Sequence, residues 1–333
     1  MIAAYDDLNA RARGLATHLL GRRELERLTQ AGDLRHLAAA LEVFGCGVRP
    51  AEASAAALDL AVRRRAARQM RTLELWCGHR KDALAIVFED EDRRSLRTIL
   101  RGAVQGVAAE ARLAGCIPTP ALPERALEEL ARQATLSAVA ALLVLWGSPY
   151  GGAILGEARR QHPDLLVLEV ALSRAFFGRA LACSRGRALT AYVREAIDLE
   201  NALSALVLAS HPSDLAAVAC FLAGGRRLDR TTFEAASMGD HQASTRRLAR
   251  AFTGTVYAKV FARGGDRAIE GALLAAAIGE QARAAIRDPL GPAPLLEYAL
   301  RLRAEAVDLR RVVWGTALGA PAPIVSGELV SAW

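Results

Sequence analysis

The feature that most constrains this chain is an internal repeat with a period of just over one hundred residues. Residues 92–102 read DRRSLRTILRG, residues 198–208 read DLENALSALVL and residues 305–315 read EAVDLRRVVWG, with starts 106 and then 107 residues apart. Self-similarity at a fixed period marks a chain built from copies of one supersecondary unit. In each copy an acid (Asp92, Asp198, Glu305) is followed three residues later by a small polar or acidic residue (Ser95, Asn201, Asp308). Apolar residues then recur at helical spacing: Leu96, Ile99 and Leu100; Ala202, Ala205 and Leu206; Leu309, Val312 and Val313. These positions share one helical stripe, so the polar pair stands at the head of a core-facing surface. Placed there, the acid is expected to complement the helix dipole and to cap or pair with a neighbouring helix. The first and third copies leave the helix through Gly102 with Gly106 and Gly315 with Gly319, a helix end followed by a turn.

A second marker keeps nearly the same period. Gly147-Ser148-Pro149-Tyr150 matches Gly254-Thr255-Val256-Tyr257, and Gly45-Cys46-Gly47-Val48 is a weaker copy upstream. Tyr150 precedes Asp198, and Tyr257 precedes Glu305, by the same 48 residues. Each marker reads as a breaker after an amphipathic helix.

Between the markers, helical periodicity runs over 52–76, 124–146, 164–184, 187–209, 232–252, 267–287 and 293–314, bounded by glycine and proline clusters. Composition agrees: 52% of the 333 residues are hydrophobic and only 5% aromatic, and the abundance of Ala, Leu, Arg and Glu favours helix. No strand is predicted. The expected fold is therefore all-α, with three degenerate helical bundles over 1–117, 118–224 and 225–333. The first includes an extra helix over 5–20, which carries Asp6 and Asn9 at the signature offset. Because 323–330 resembles the opening of another unit, the two ends are expected to lie together and to complete a threefold ring.

Several kinds of chemistry find no support. The five cysteines, Cys46, Cys77, Cys116, Cys183 and Cys220, are widely spaced with no C-x-x-C pair, against a disulfide framework or zinc site. The six histidines are scattered and read as surface or helix-end residues. Glu89-Asp90-Glu91-Asp92 lacks the second, opposed acidic cluster that a metal–diphosphate site needs, and reads as capping and solvated charge. There is no phosphate loop of the G-x-x-x-x-G-K-[ST] type and no G-x-S-x-G elbow. The formal charge of +7 comes almost wholly from arginine interleaved with Glu and Asp, which predicts solvated, salt-bridged faces rather than a nucleic-acid surface. The longest apolar run, 136–146, is too short for the roughly 20 residues of a membrane span. Asp6 and Asp7 argue against a secretory signal, so a soluble cytoplasmic protein is expected.

Taken together, DRRSLRTIL, DLENALSAL and EAVDLRRVV, the Gly-Thr-x-Tyr breaker and the closing PLLEYALRLRAEAVDLRRVVWGTALGAPAPIVSGELV resemble the C subunit of bacterial and archaeal V-type (A-type) ATPases, equivalent to the d subunit of the eukaryotic V-ATPase. The resemblance spans essentially the whole chain and departs most in the first copy, with Ser95 for Asn and Cys46-Gly47-Val48 for Thr-x-Tyr. It implies a pseudo-threefold, funnel-shaped all-α fold. It also implies a non-catalytic rotor subunit on the cytoplasmic face of the membrane, coupling the D and F shaft subunits to the proteolipid ring during ion transport. The family has no catalytic residues to transfer, and no cofactor, metal, nucleic acid or small-molecule substrate is expected. The isolated chain is expected to be a monomer.

Two sets of residues carry the functional reading. The structural signature is Asp92, Ser95, Leu96, Asp198, Asn201, Glu305, Asp308, Leu309, Tyr150 and Tyr257. The candidate partner face is Arg64, Arg68 and Arg71, on one side of a helix, where acidic side chains of a partner would meet them. The competing reading is a general helical-repeat scaffold binding a protein in a groove, which predicts an open superhelix.

Overall fold

The computed structural model describes residues 5–78, 82–211, 217–264 and 269–331, and His79, Lys81 and Gly265 lie outside them. Among the described residues the regular structure is entirely helical. In chain order the helices are α1 (Asp6–Ala16), α2 (Arg22–Leu28), α3 (Leu34–Glu42), α4 (Ala55–Cys77), α5 (Asp82–Val104), α6 (Ala109–Arg112), α7 (Glu124–Ala131), α8 (Leu136–Leu145) and α9 (Gly151–Ala158). They continue with α10 (Leu165–Cys183), α11 (Arg187–Ser210), α12 (Arg230–Ser237), α13 (His241–Ala251), α14 (Val256–Arg263), α15 (Ile269–Arg287), α16 (Ala293–Ala317) and α17 (Ala322–Gly327). Short 3-10 turns cover Pro50–Glu52 and Ala217–Cys220.

Each third of the chain holds two short helices, a breaker and two long helices in that order, with a further helix, α9 or α14, after the breaker in the second and last thirds. The short pair is α2 and α3, then α7 and α8, then α12 and α13; the long pair is α4 and α5, then α10 and α11, then α15 and α16. The predicted continuous helices over 124–146 and 232–252 are each two helices. The reason is capping: the Thr135 side chain accepts from the Ala138 amide at 3.1 Å, and Asp240 accepts from Ala243 at 2.6 Å. Asp33 does the same for α3, accepting from the Arg35 and His36 amides at 2.9 Å. These caps satisfy donors that the first turn leaves free and set where the second short helix starts.

The breakers also have a local cause. Gly45, Gly147 and Gly254 take left-handed φ values of 77°, 68° and 80°. At the first two, the amide of the next residue reaches back to the helix, Cys46 to Leu41 O at 3.2 Å and Ser148 to Leu143 O at 2.9 Å, which is the Schellman closure that glycine permits. The tyrosines after them were expected in the breakers, but Tyr150 caps α9 and Tyr257 lies in the first turn of α14.

The helices predicted over 187–209 and 293–314 are found as α11 and α16, but the dipole or capping role expected of the signature acids is not. α5, α11 and α16 begin ten or more residues before the signature acid, so Asp92, Asp198 and Glu305 sit in mid-helix rather than in a first turn. A dipole or N-cap role is therefore excluded. The apolar stripe is as predicted: Leu96, Ile99, Leu100, Ala202, Ala205, Leu206, Leu309, Val312 and Val313 are all buried.

One apolar core runs through all three thirds. Helix α4 packs along α16, and α10 packs along α5, so the first third leans on the last and the second on the first. Helix α15 instead makes its main contact with α16. The two ends of the chain meet: α1 packs on α16, and Arg22 donates to Ser326 O at 2.7 Å.

Candidate functional site

The signature residues clamp the linkers that join one third to the next. Asp198, 1% exposed, accepts from the amides of Arg226 (2.9 and 3.1 Å), Arg227 (3.0 Å) and Leu228 (3.1 Å). Asn201 holds Leu222 through both its amide groups at 2.8 Å. In the third copy Asp308 accepts from the amides of Val330 and Ser331 at 2.7 and 2.8 Å. Glu305 accepts from the Leu20 amide at 2.7 Å and pairs closely with Arg65. Leu20 leads into α2, just as Leu228 leads into α12. The N-terminal segment thus gives the third signature helix what a downstream linker gives the second.

The first copy is weaker. Among the described residues Asp92 accepts only a short hydrogen bond from the Thr119 hydroxyl, and the buried Ser95 hydroxyl has no partner. Burial pushes the Asp92 carboxyl up to about 7, against the opposing hydrogen bond from Thr119. Leu96 and Leu309 are core residues with no polar role.

The second marker explains why both keep one period. Tyr150 donates to Glu89 O on α5 at 3.2 Å, and Tyr257 donates to Glu195 Oε1 on α11 at 2.5 Å. Glu89 and Glu195 each lie three residues before a signature acid. Each tyrosine therefore docks on the signature helix of the preceding third, and the two markers are partners in one contact.

Ion pairs, buried at Arg65 with Glu305 and part-exposed at Arg101 and Arg310, cross the same boundaries. Between α4 and α16, Arg65 pairs with Glu305 and Asp59 holds Arg310 at 2.7 Å; within α4, Asp59 also holds Arg63 at 2.9 Å. Between α10 and α5, Glu169 holds Arg101 at 2.5 and 2.7 Å. Arg93 also lies over the rings of Phe176 and Phe177, 5.3 and 5.5 Å from their centroids. Removing one member of a buried pair typically costs about 3–5 kcal/mol, so the Arg65–Glu305 contact resists sliding of the first third against the last.

At the centre, the run 89–92 is neither capping nor solvated charge. Asp90 holds Arg93 (2.7 Å), Arg94 (2.9 Å) and Arg303 (3.2 Å), while Glu200 holds Arg93 at 3.1 Å and Arg97 more closely. Burial opposes ionisation of both acids, but the surrounding guanidiniums hold Asp90 well below the usual carboxylate range and Glu200 down to about 2. Beside this knot a cavity of about 390 Å³, open on one side, is lined mainly by α5, α11, α15 and α16. No helix among the described residues is long and apolar enough to cross a membrane.

The candidate partner face is partly engaged within the chain. Arg64 forms a two-pronged pair with Glu124 at 2.7–3.2 Å, and Arg68 donates to Gly45 O at 2.8 Å. Arg71 is exposed. The signature residues do not converge on one pocket; they are spread over three clamps. Sequence reading missed the central knot of Asp90, Arg93, Arg97, Glu200 and Arg303. One signal for it existed: Arg97 and Arg310 both stand five residues after a signature acid, where α11 carries Leu203.

The family model for the ATP synthase (C/AC39) subunit matches residues 8–325. A protein of Thermus thermophilus, described as the C subunit of a V-type ATP synthase, is 30% identical over 281 residues, 82% of this chain and 82% of that one. The protein of the same description from a second strain of Thermus thermophilus is 29% identical with the same coverage.

Proposed function

This chain belongs to the ATP synthase (C/AC39) subunit family, and from that premise we propose that it is a non-catalytic rotor part of a V-type rotary ATPase, joining the shaft of D and F subunits to the membrane proteolipid ring. In this reading the three thirds, 1–117, 118–224 and 225–333, surround a pseudo-threefold axis and form a socket. The socket sits on the cytoplasmic face of the membrane, peripheral to it, and passes torque between ATP turnover and proton or sodium movement.

The observation that carries the reading is the family match across nearly the whole chain. Physical support comes from the boundary contacts: a torque-bearing adaptor needs stiffness, and ion pairs such as Arg65 with Glu305 tie the first third to the last. That contact also disfavours the general scaffold reading, since an open superhelix keeps its first and last units apart. Exposed Arg71, with Arg64 and Arg68 beside it, is the proposed contact face for an acidic partner surface.

The test is binding by the purified full-length chain to a purified D–F pair and, separately, to the isolated proteolipid ring. Both should bind, and Arg71→Glu should weaken one of the two at low salt. Failure to bind either would overturn the assignment, and unchanged binding by the variant would remove the arginine face from it.

A further inference from the structure

Charge is spread unevenly over the three sets of short helices. Residues 20–52 carry five Arg and five Asp or Glu, and 119–160 carry four of each, whereas 226–263 carry seven Arg and Lys259 against three carboxylates. The expected interleaving of arginine with acids therefore holds in the first and second copies and fails in the last. In the first two, outward arginines are met locally: Arg22 by Glu26, Arg49 by Glu52, Arg132 by Glu128 and Arg160 by Glu157. In 226–263 none of the eight cations forms an ion pair among the described residues.

The acids nearby do not cancel this surplus. Asp229 and Asp240 cap α12 and α13 through the Thr232 and Ala243 amides at 2.7 and 2.6 Å, and Glu234 is half-buried. The long helices packed against these short ones, α11 and α15, bring five acids but also Arg187, Arg194, Arg283 and Arg287. Of those acids, Asp198 is taken up by linker amides, Glu195 by the Tyr257 hydroxyl, Glu200 by Arg93 and Arg97, and Glu280 by Arg283, while Glu270 lines the central cavity.

The cations form a surface. Arg246 and Arg250, one helical turn apart, make an exposed stripe on α13, and Lys259 and Arg263 make one on α14. The two helices pack together, and Gly264 at the end of α14 returns against Thr245 near the start of α13, so the stripes lie on neighbouring antiparallel helices. Arg247 reaches α12 at Ala235 O, 2.9 Å away, and lies against Gly239, which puts Met238, 83% exposed, at the edge of the same surface.

A surplus of unpaired guanidiniums fits a polyanion. The aromatic side chains of this region, Phe233, Phe252, Tyr257 and Phe261, are all buried, so it offers neither a platform for stacking nucleic-acid bases nor the aromatic anchor of a tight protein interface. Dispersed basic charge with a protruding apolar side chain is the pattern that holds a chain against anionic lipid headgroups. A fluid leaflet also suits a turning part, because it attracts without favouring any angle.

We propose that α12–α14 form a docking surface for the anionic phospholipid headgroups of the membrane, with Arg246, Arg250, Lys259 and Arg263 as its contacts. The proposal rests on the coupling reading only in placing a membrane within reach.

The test is cosedimentation of the purified full-length chain with vesicles of phosphatidylglycerol and phosphatidylcholine in equal parts, against vesicles of phosphatidylcholine alone. Wild type should sediment with the first only and be released by salt, which screens the attraction. Arg246→Gln with Arg250→Gln, at exposed positions without ion pairs, should weaken partitioning about 25-fold, at about fivefold for each charge near the surface. Arg125→Gln with Arg132→Gln takes the same charge from the second copy and should leave partitioning nearly unchanged. Equal weakening by both pairs makes overall charge the cause and overturns the proposal. Absence of any preference for the anionic vesicles also overturns it, and polyglutamate binding lost in Arg246→Gln with Arg250→Gln would then give the face to an acidic protein. A chain that binds these vesicles but neither the D–F pair nor the ring defeats the coupling reading alone; one that binds both partners and no vesicles defeats this proposal alone.

Discussion

Replacing the signature acid by alanine should cost very different amounts in different copies. Asp198→Ala removes the acceptor for three main-chain amides. Hydrogen bonds to a charged group contribute about 1.5–3 kcal/mol each, and a buried donor left without a partner costs about 1–3 kcal/mol. Arg226 and Arg227 are exposed, so water recovers part of their loss, but Leu228 is buried and its amide stays unpaired. The net cost is therefore about 3–5 kcal/mol, a large share of the roughly 5–15 kcal/mol of a whole folded domain. Asp92→Ala loses one hydroxyl donor, Thr119, and relieves a carboxylate whose ionisation burial opposes. Its cost should stay below about 1 kcal/mol at pH 8. Equilibrium urea unfolding followed by helical circular dichroism, with both variants at pH 8, measures the difference. Equal costs, or a larger cost at Asp92, would refute the view that these acids act by clamping the linkers.

Two further outcomes follow from the same geometry. The Asp92 carboxyl is raised from an ordinary 3.8 to about 7 in the folded chain, so its stabilising contribution is complete below the ordinary value and is lost as pH rises through about 7. Asp92→Asn should flatten that part of the stability profile and exceed wild type above pH 7, by at most about 4 kcal/mol; a variant that stays below wild type there contradicts the sign. A Cβ at Gly151 would stand 2.5 Å from Val144 N and 2.7 Å from Leu143 C, whereas one at Gly152 meets nothing within 4 Å. Gly151→Ala should cost about 1–3 kcal/mol and Gly152→Ala should be neutral or slightly stabilising, and thermal unfolding showing the two alike would dismiss the close approach of α8 and α9.

How much of this was legible in the sequence depended on the distance over which each signal acts. The apolar stripes of α5, α11 and α16 were readable because helical periodicity is local, and the glycine breakers because left-handed φ is a property of one residue. The extent of α5 before Asp92 was not, since no predicted span covered it, whereas the spans over 187–209 and 293–314 already placed Asp198 and Glu305 in mid-helix. Arg93 and Asp90 resembled a solvated charge run because nothing in the local pattern shows that Glu200, Ser173 and Arg303 converge on them. The split between α7 and α8 was missed although Thr135 has the cap's chemistry, because the apolar pattern continues across it. The recurrence of Tyr150 and Tyr257 was visible, but its cause lies in Glu89 and Glu195 of another third, a contact only the fold reveals.

The proposed coupling role is tested most directly in the assembled enzyme, by extracting this chain alone and measuring ATP hydrolysis and ion movement together. The account predicts that hydrolysis by the water-soluble part continues, that ATP-driven ion movement ceases, and that adding the purified chain back restores it. Ion movement that persists undiminished without the chain would contradict the account.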